Sequence, residues 1–339
     1  MDNKVLCKFD KKVIISIFCG QVLSLFICGT AISSAYLSQF GANIPITQSF
    51  LNYMLISLTY GMFFAYKSSL NLMEIIKDRG YLYVIAAIID VEANYLIVKS
   101  YQYTNVTSIQ LLDCLTIPTV FILSIFILRI RYLWTHLSGV VLCLLGSTGM
   151  VLIDYWVRDS SSVSSLNPLL GDILVIIGAI LYGISNIIQN YLVKKHSTIE
   201  YLGFIGILCS LVSGIQLILI ERHDAFLAFN ANYANPVFWS CLLGFALSMF
   251  LLYSLMPYMM RISDAVITNL SLLTSDMYAL IVGIFLFGYV FHPLYFVAYS
   301  IIMIGVGMYV AKDHAKRKEN EGICSMFDCK KDSNNSDTV

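Results

Sequence analysis

The sequence predicts an all-α multi-pass membrane protein, with ten transmembrane helices arranged as two inverted five-helix repeats. Three observations carry that expectation. Of 339 residues, 58% are hydrophobic and only 12% are charged, whereas a soluble domain is roughly 25% charged, so most of the chain must be solvated by lipid. Apolar segments of about 20 residues, the length that crosses a bilayer, recur ten times along the chain. The cationic residues then fall on alternate sides of those segments, as the positive-inside rule requires.

Taken in order, the polar and basic stretch MDNKVLCKFDKK (1–12) leads into a long apolar run with no small-residue cleavage site. It reads as a cytoplasmic tail before a retained first span at 13–37. Further spans follow at 46–66, 81–100, 106–128, 134–154, 169–193, 200–220, 236–258, 264–287 and 292–311, and the polar residues 312–339 read as a disordered cytoplasmic tail. With both termini cytoplasmic, the inner segments hold Lys4, Lys8, Lys11, Lys12, Lys67, Lys77, Arg79, Arg129, Arg131, Lys194, Lys195, Arg261 and the basic residues of the tail. Of the 21 Lys and Arg, only Lys99, Arg158 and Arg222 fall outside. A miscounted span would scramble that asymmetry.

The Ser-rich stretch DYWVRDSSSVSSLNPLLGD divides the membrane domain, 13–311, into halves at 13–154 and 169–311. The halves echo each other at an offset near 157: VTSIQLLDCLTIPTVFILSIFILRIRY lies against SDAVITNLSLLTSDMYALIVGIFLFGYV, and CLLGSTGM against IMIGVGM. Five spans is an odd number, so the two halves enter the membrane from opposite sides. That plan, common among secondary transporters, places a substrate site near mid-membrane between the halves.

Composition also excludes function classes. Zero formal net charge gives no electrostatic footprint for nucleic acid. Most of the nine cysteines, including Cys19, Cys28, Cys114, Cys143, Cys209 and Cys241, lie inside apolar segments and read as small packing residues. No H-E-x-x-H, G-x-S-x-G, P-loop or C-x-x-C occurs, so neither an enzyme nor a cofactor or metal site is expected.

The informative residues are acids on apolar spans. Asp90 and Glu92 fall in YLYVIAAIIDVEANYLIVKSY, Asp113 in VTSIQLLDCLTIPTVFILSIFIL and Asp276 in AVITNLSLLTSDMYALIVGIFLFG, with no Lys or Arg at comparable depth. A mid-bilayer carboxylate costs roughly 2.5–3.5 kcal/mol on insertion scales and usually faces a polar path. Asp172 and Asp264, at span starts, read as helix caps. Asp90 and Asn94 are four apart and share a face, with Glu92 turned away by about 200°. The preferred assignment has Asp90 and Asn94 lining a cavity and Glu92 bonded to a neighbouring helix; the reverse stays open. Gln110 and Asp113 stack at a spacing of three, and Pro118 should free a carbonyl and bend that helix. Asn269 and Asp276 share a face, and Tyr182, Ser185, Asn186 and Gln189 form a polar stripe. The expected substrate-binding set is Asp90, Glu92, Asn94, Gln110, Asp113, Tyr182, Asn186, Asn269 and Asp276.

The strings GQVLSLFICGTAISSAYL, QSFLNY, DVEANYLIVKSYQYTNVTSIQLLDC, GDILVIIGAILYGISNIIQNYLVKK and VSGIQLILIE together resemble the F subfamily of solute carrier family 35, within the drug/metabolite transporter superfamily. The likeness runs from about residue 17 to 310. It implies ten helices in two inverted five-helix repeats and a transporter similar to Golgi nucleotide-sugar carriers. The members that this chain most resembles are linked to uptake of queuine, a 7-deazaguanine base with a protonatable amine, and of its nucleoside. Where that branch carries two adjacent glutamates on the sixth span, this chain has Gln189 and Asn190.

A nucleotide sugar carries a diphosphate whose desolvation needs Lys or Arg in the cavity, and no base occupies a span centre here. Asp, Asn, Gln and Tyr suit instead a neutral or cationic solute with N–H and O–H donors. The expectation is a secondary-active transporter working by alternating access on a nucleobase- or nucleoside-like micronutrient such as queuine. Protons are the candidate coupling ion, and the location is the plasma membrane or a Golgi or endosomal membrane. The alternatives are a nucleotide-sugar antiporter of Golgi or endosomal membranes, and a non-transporting scaffold or sensor. For the scaffold, the terminus Asp337-Thr338-Val339 would serve as a partner motif.

Overall fold

In lipid, every backbone N–H and C=O must find an internal partner, which leaves helices and closed barrels as the spanning structures. The computed structural model of the chain describes residues 11–42, 44–67, 72–103, 109, 112–128, 132–157, 168–263, 265–275, 278 and 293–310, and among these it forms helices and no strand. Helix α1 (Lys11–Gln39) ends in a turn at Gly41, whose φ of 69° suits a residue without a side chain. Pro45 then starts α2 (Pro45–Ile56), which runs through a π-helical turn (Ser57–Gly61) into α3 (Met62–Lys67). Next come α4 (Leu72–Ser100), α5 (Thr116–Phe126), α6 (Trp134–Val157) and α7 (Pro168–Lys195). Helix α8 (Thr198–Gln216) passes through a second π-helical turn (Leu217–Glu221) into α9 (Arg222–Ala231). Helices α10 (Pro236–Ile262), α11 (Ala265–Leu272) and α12 (Leu294–Val310) complete the described chain. Asn235 caps α10 by accepting from the backbone N–H groups of Val237 and Phe238.

Among the described residues, five stretches are long and apolar enough to cross a bilayer: Phe18–Ser38, Ile75–Ser100, Leu169–Lys195, Thr198–Ala231 and Pro236–Ile262. Shorter apolar helices occupy Thr116–Phe126 and Phe296–Tyr309. The chain is therefore an integral membrane protein.

Helix α6 packs along α12, α1 along α10, α4 along α7 and α2 along α8. Further contacts join α5 to α7, α1 to α11, α2 to α10 and α4 to α8. Lipid supplies no hydrophobic drive between helices, so close approach at small residues matters. A Cβ added to Gly206 on α8 would lie 2.8 Å from the Ser57 nitrogen, in the backbone that follows α2.

Two buried glutamates tie the run from α8 to α9 to its neighbours. Near its start, Glu200 accepts from Arg79 Nε and Nη2 at 2.8 and 3.0 Å and from the Tyr83 hydroxyl at 2.8 Å. Near its end, Glu221 accepts from the Ile46 N–H at 2.7 Å, the Thr47 N–H at 2.9 Å and the Thr47 hydroxyl at 2.7 Å. It thus caps α2 from a distance, with negative charge at the positive end of that helix. Between α7 and α8, burial and then the nearby Arg79 charge hold the His196 pKa below its ordinary value of 6.5.

Candidate functional site

A cavity of about 200 Å³ lies between α1, α4, α7, α10, α11 and the start of α5. Apolar residues such as Ile27, Phe245, Met249 and Leu252 form much of its wall, and the polar groups come from a few helix faces. Asp90 and Asn94, one turn apart on α4, both line it. Glu92 does not: it points to α8, where Gln216 Nε2 donates to its Oε1 at 2.5 Å. Of the two neighbouring acids, Asp90 is the one that faces the cavity, and Glu92 leaves the expected lining set.

Asp90 is the centre of a knot of hydroxyls. The Tyr53 and Tyr253 hydroxyls donate to its Oδ2 at 2.9 and 2.7 Å, and Ser185 Oγ donates to Oδ1 at 3.1 Å. Asn94 Nδ2 donates to the Tyr53 oxygen at 3.3 Å. Residues of α2, α4, α7 and α10 thus meet at one carboxylate, which is only 6% exposed. The Asn94 Oδ1, fully buried, has no partner among the described residues.

Asp113 sits at a break. Leu112 and Asp113 are helical, Cys114 and Leu115 form a turn, and α5 starts at Thr116. Pro118 has no N–H to give the Cys114 carbonyl, so the interruption falls beside the acid, where a bend further along was expected. A matching turn at Leu273 and Thr274 follows α11, whose residues Asn269 and Leu272 line the cavity with Leu273 and Ser275. Across the cavity, Asn186 Nδ2 donates to Asn269 Oδ1 at 3.0 Å and links α7 to α11. Tyr182 and Gln189 complete the polar lining from α7. Asn190 does not line it; it is buried, with Oδ1 unpartnered among the described residues.

Among the described residues, no Lys, Arg or His lines the cavity. The ion pairs among the described residues join Arg79 to Asp78 and to Glu200, and Lys99 donates to Tyr95 of its own helix at 2.6 Å. The described residues offer carboxylate and amide oxygens to a solute and no fixed positive charge.

Six of the nine residues expected from sequence (Asp90, Asn94, Asp113, Tyr182, Asn186 and Asn269) therefore line one cavity. Gln110 and Asp276 lie outside the described residues. Sequence reasoning missed Tyr53, Tyr253 and Thr116. A signal for the tyrosines existed, since a Tyr hydroxyl deep in an apolar span needs a buried partner. The partner's identity depends on contacts spanning 37 and 163 residues.

The fold and the site define an integral membrane protein with a polar mid-bundle cavity, and comparison with known proteins identifies its class. The profile of Solute carrier family 35 matches residues 9–311; the chain belongs to that family, in its F branch, and is a solute transporter. It is similar to Solute carrier family 35 member F2 of Mus musculus, at 45% identity over 305 residues, covering 89% of this chain and 80% of the relative. It is also similar to Solute carrier family 35 member F2 of Xenopus tropicalis, at 41% identity, covering 89% and 77%. An uncharacterized solute carrier family 35 member of Schizosaccharomyces pombe is 39% identical over 88% of this chain and 58% of its own. A solved crystal structure shares the fold alone: TM-score 0.58 and 14% identity, over 87% of this chain and 96% of that one.

Proposed function

We propose that the chain is a secondary-active transporter that moves a small neutral or cationic solute, of the nucleobase or nucleoside kind that includes queuine, by alternating access through this cavity. The observation that carries the reading is a cavity whose described wall holds two carboxylates and no base. A diphosphate would have to shed its water against Asp90 and Asp113, whereas N–H and O–H donors find acceptors at Asp113, Asn94 and Gln189. A volume near 200 Å³ lies below the ~300–1,000 Å³ of pockets for drug-sized ligands and suits a small solute. In this reading Asp90, Asn94, Asp113, Tyr182, Asn186 and Asn269 form the solute site, with Asp276 and Gln110 as further members.

The reading includes ten spans in two inverted halves, 13–154 and 169–311, flanked by cytoplasmic tails. Packing supports it. With spans one to ten taken as α1, α2–α3, α4, α5, α6, α7, α8–α9, α10, α11 and α12, exchange each span with the one five further on. The α4–α7 contact becomes α10–α1, α5–α7 becomes α11–α1, and α2–α10 becomes α8–α4, all of which occur. The α2–α8 and α6–α12 contacts map onto themselves, and the π-helical turns fall on exchanged spans. The breaks beside Asp113 and after Leu272 also fall on exchanged spans, where interrupted helices mark substrate sites in transporters of this plan.

The test is a thermal-shift screen of purified protein against nucleobases, nucleosides and nucleotide sugars, since a ligand stabilises in proportion to ln(1 + [L]/Kd). Stabilisation by queuine or a related base supports the reading. Stabilisation by a UDP- or GDP-sugar alone overturns it.

A further inference from the structure

Each cavity residue from Asp90 to Tyr101, on α4 and just past its end, has a counterpart on α10, and each on α7 has one on α1, always at the same spacing along the chain. Asp90 answers to Phe245, Asn94 to Met249 and Tyr101 to Met256, while Ala31 and Ser34 answer to Asn186 and Gln189. All of these positions are described. We infer that the cavity reads its solute with two unlike walls. Helices α4 and α7 bind its hydrogen-bonding edge, and α10, backed by α1, packs its flat apolar face, with Phe245 and Met249 as specificity-determining residues. The inference rests on the carrier reading above and adds the orientation of the solute to it.

The matched positions differ in chemistry. Where α4 has a carboxylate at Asp90 and an amide at Asn94, α10 has a phenyl ring and a thioether. Where α7 has the amides of Asn186 and Gln189, α1 has two short side chains. Val98 and Tyr253 reverse the order, but the Tyr253 hydroxyl donates across to Asp90 Oδ2 at 2.7 Å, so its polar end serves the α4 side. Helix α4 packs along α7 and α1 along α10, so like gathers with like. Ser185 of α7 donates to Asp90 at 3.1 Å. Phe245, Met249 and Leu252 of α10 share one apolar cluster with Leu23 of α1. An exact two-fold site would show the same groups to both sides of a solute, and this one does not.

A solute with polar groups all round would bury some of them against Phe245 and Met249 without a partner, which is costly. That disfavours a polyol. It also disfavours a bare hard cation, which needs oxygen ligands on every side. A planar ring with its N–H and C=O groups along one edge satisfies both walls. Its edge meets the amides of α4 and α7. Its face meets the Phe245 ring, as aromatic pairs prefer in offset or edge-on contact, and the polarizable, adaptable thioether of Met249.

Two probes with the same hydrogen-bonding edge test this. Isocytosine is planar and aromatic, and its 5,6-dihydro derivative keeps the edge but puckers the ring. Affinity for the purified full chain would be read from the concentration dependence of the thermal shift. Isocytosine should bind more tightly by roughly threefold to tenfold. Met249→Gln, of similar length, sets an amide against the ring face and should weaken isocytosine by about tenfold or more, and Met249→Leu should recover most of that loss. The melting temperature of each variant without ligand shows whether it folds, and the probe pair needs no variant. Equal affinity for the two probes, or a folded Met249→Gln chain that holds isocytosine as tightly as the unaltered one, would overturn the two walls and leave the carrier reading standing. Stabilisation by a UDP-sugar alone overturns both. Stabilisation by no probe overturns the inference, and queuine uptake then decides the carrier reading separately.

Discussion

Replacing Asp113 by Asn keeps the side chain's size and removes its charge from a position where, among the described residues, the Thr116 hydroxyl is the one side-chain donor within reach, at 3.4 Å. A hydrogen bond to a charged group contributes about 1.5–3 kcal/mol, so D113N should lower solute uptake roughly tenfold to a hundredfold while leaving the melting temperature in detergent unchanged. Asp90→Asn should do the opposite in proportion. It disturbs three buried donors at once, and a stability loss of about 1–3 kcal/mol should appear as a lower melting temperature. Differential scanning fluorimetry alongside uptake separates the two effects. At this scale the sequence was informative where spacing within one helix decides the matter: Asp90 and Asn94 share a face because they are four apart, and Glu92 falls elsewhere. It was silent where the partner lies on another helix. Nothing local to Tyr253 points to Asp90, and the choice between Asp90 and Glu92 needed the position of Gln216 on α8.

The elements themselves were legible because long apolar runs have no alternative to helix in lipid. Their interruptions were less so. Pro118 announced a disturbance, but whether it bends a helix or starts a new one depends on what donates to the freed carbonyl; the Ile117 N–H donates to Cys114 O at 3.1 Å, and the turn falls at Cys114–Leu115. The π-helical turns at Ser57–Gly61 and Leu217–Glu221 have no proline or glycine pair to betray them and were not foreseen. Gly206 offers a direct check of helix contact. Ala there would press its methyl against the backbone following α2, and overpacking of this kind costs about 1–3 kcal/mol, so G206A should show reduced folded yield by size-exclusion chromatography. The junction between α7 and α8 supplies a pH test. His196 titrates below 6.5 in the folded chain because of burial and Arg79, so the unfolded chain binds the extra proton first. Its contribution is fully present above about pH 6.5 and is lost as pH falls through the folded value. Acidification should lower the melting temperature less in His196→Gln than in the unaltered protein.

At the scale of the molecule, the odd number of apolar segments read in each half of the sequence and the weak internal echo point to the inverted repeat proposed above. Contacts such as α4–α7 and α1–α10, which exchange under that symmetry, add an independent physical argument. What the sequence left open was how the polar residues divide between one cavity and several interhelical bonds, because that depends on helix rotation rather than composition. The central claim is that a cavity whose described wall is acidic and holds no base carries a neutral or cationic solute. Its most direct test is uptake by proteoliposomes of the full chain, comparing labelled queuine with a labelled UDP-sugar, in the unaltered protein and in D113N. The account predicts queuine uptake that falls about tenfold or more in D113N, with no UDP-sugar exchange. UDP-sugar exchange, or queuine uptake indifferent to Asp113, would contradict it.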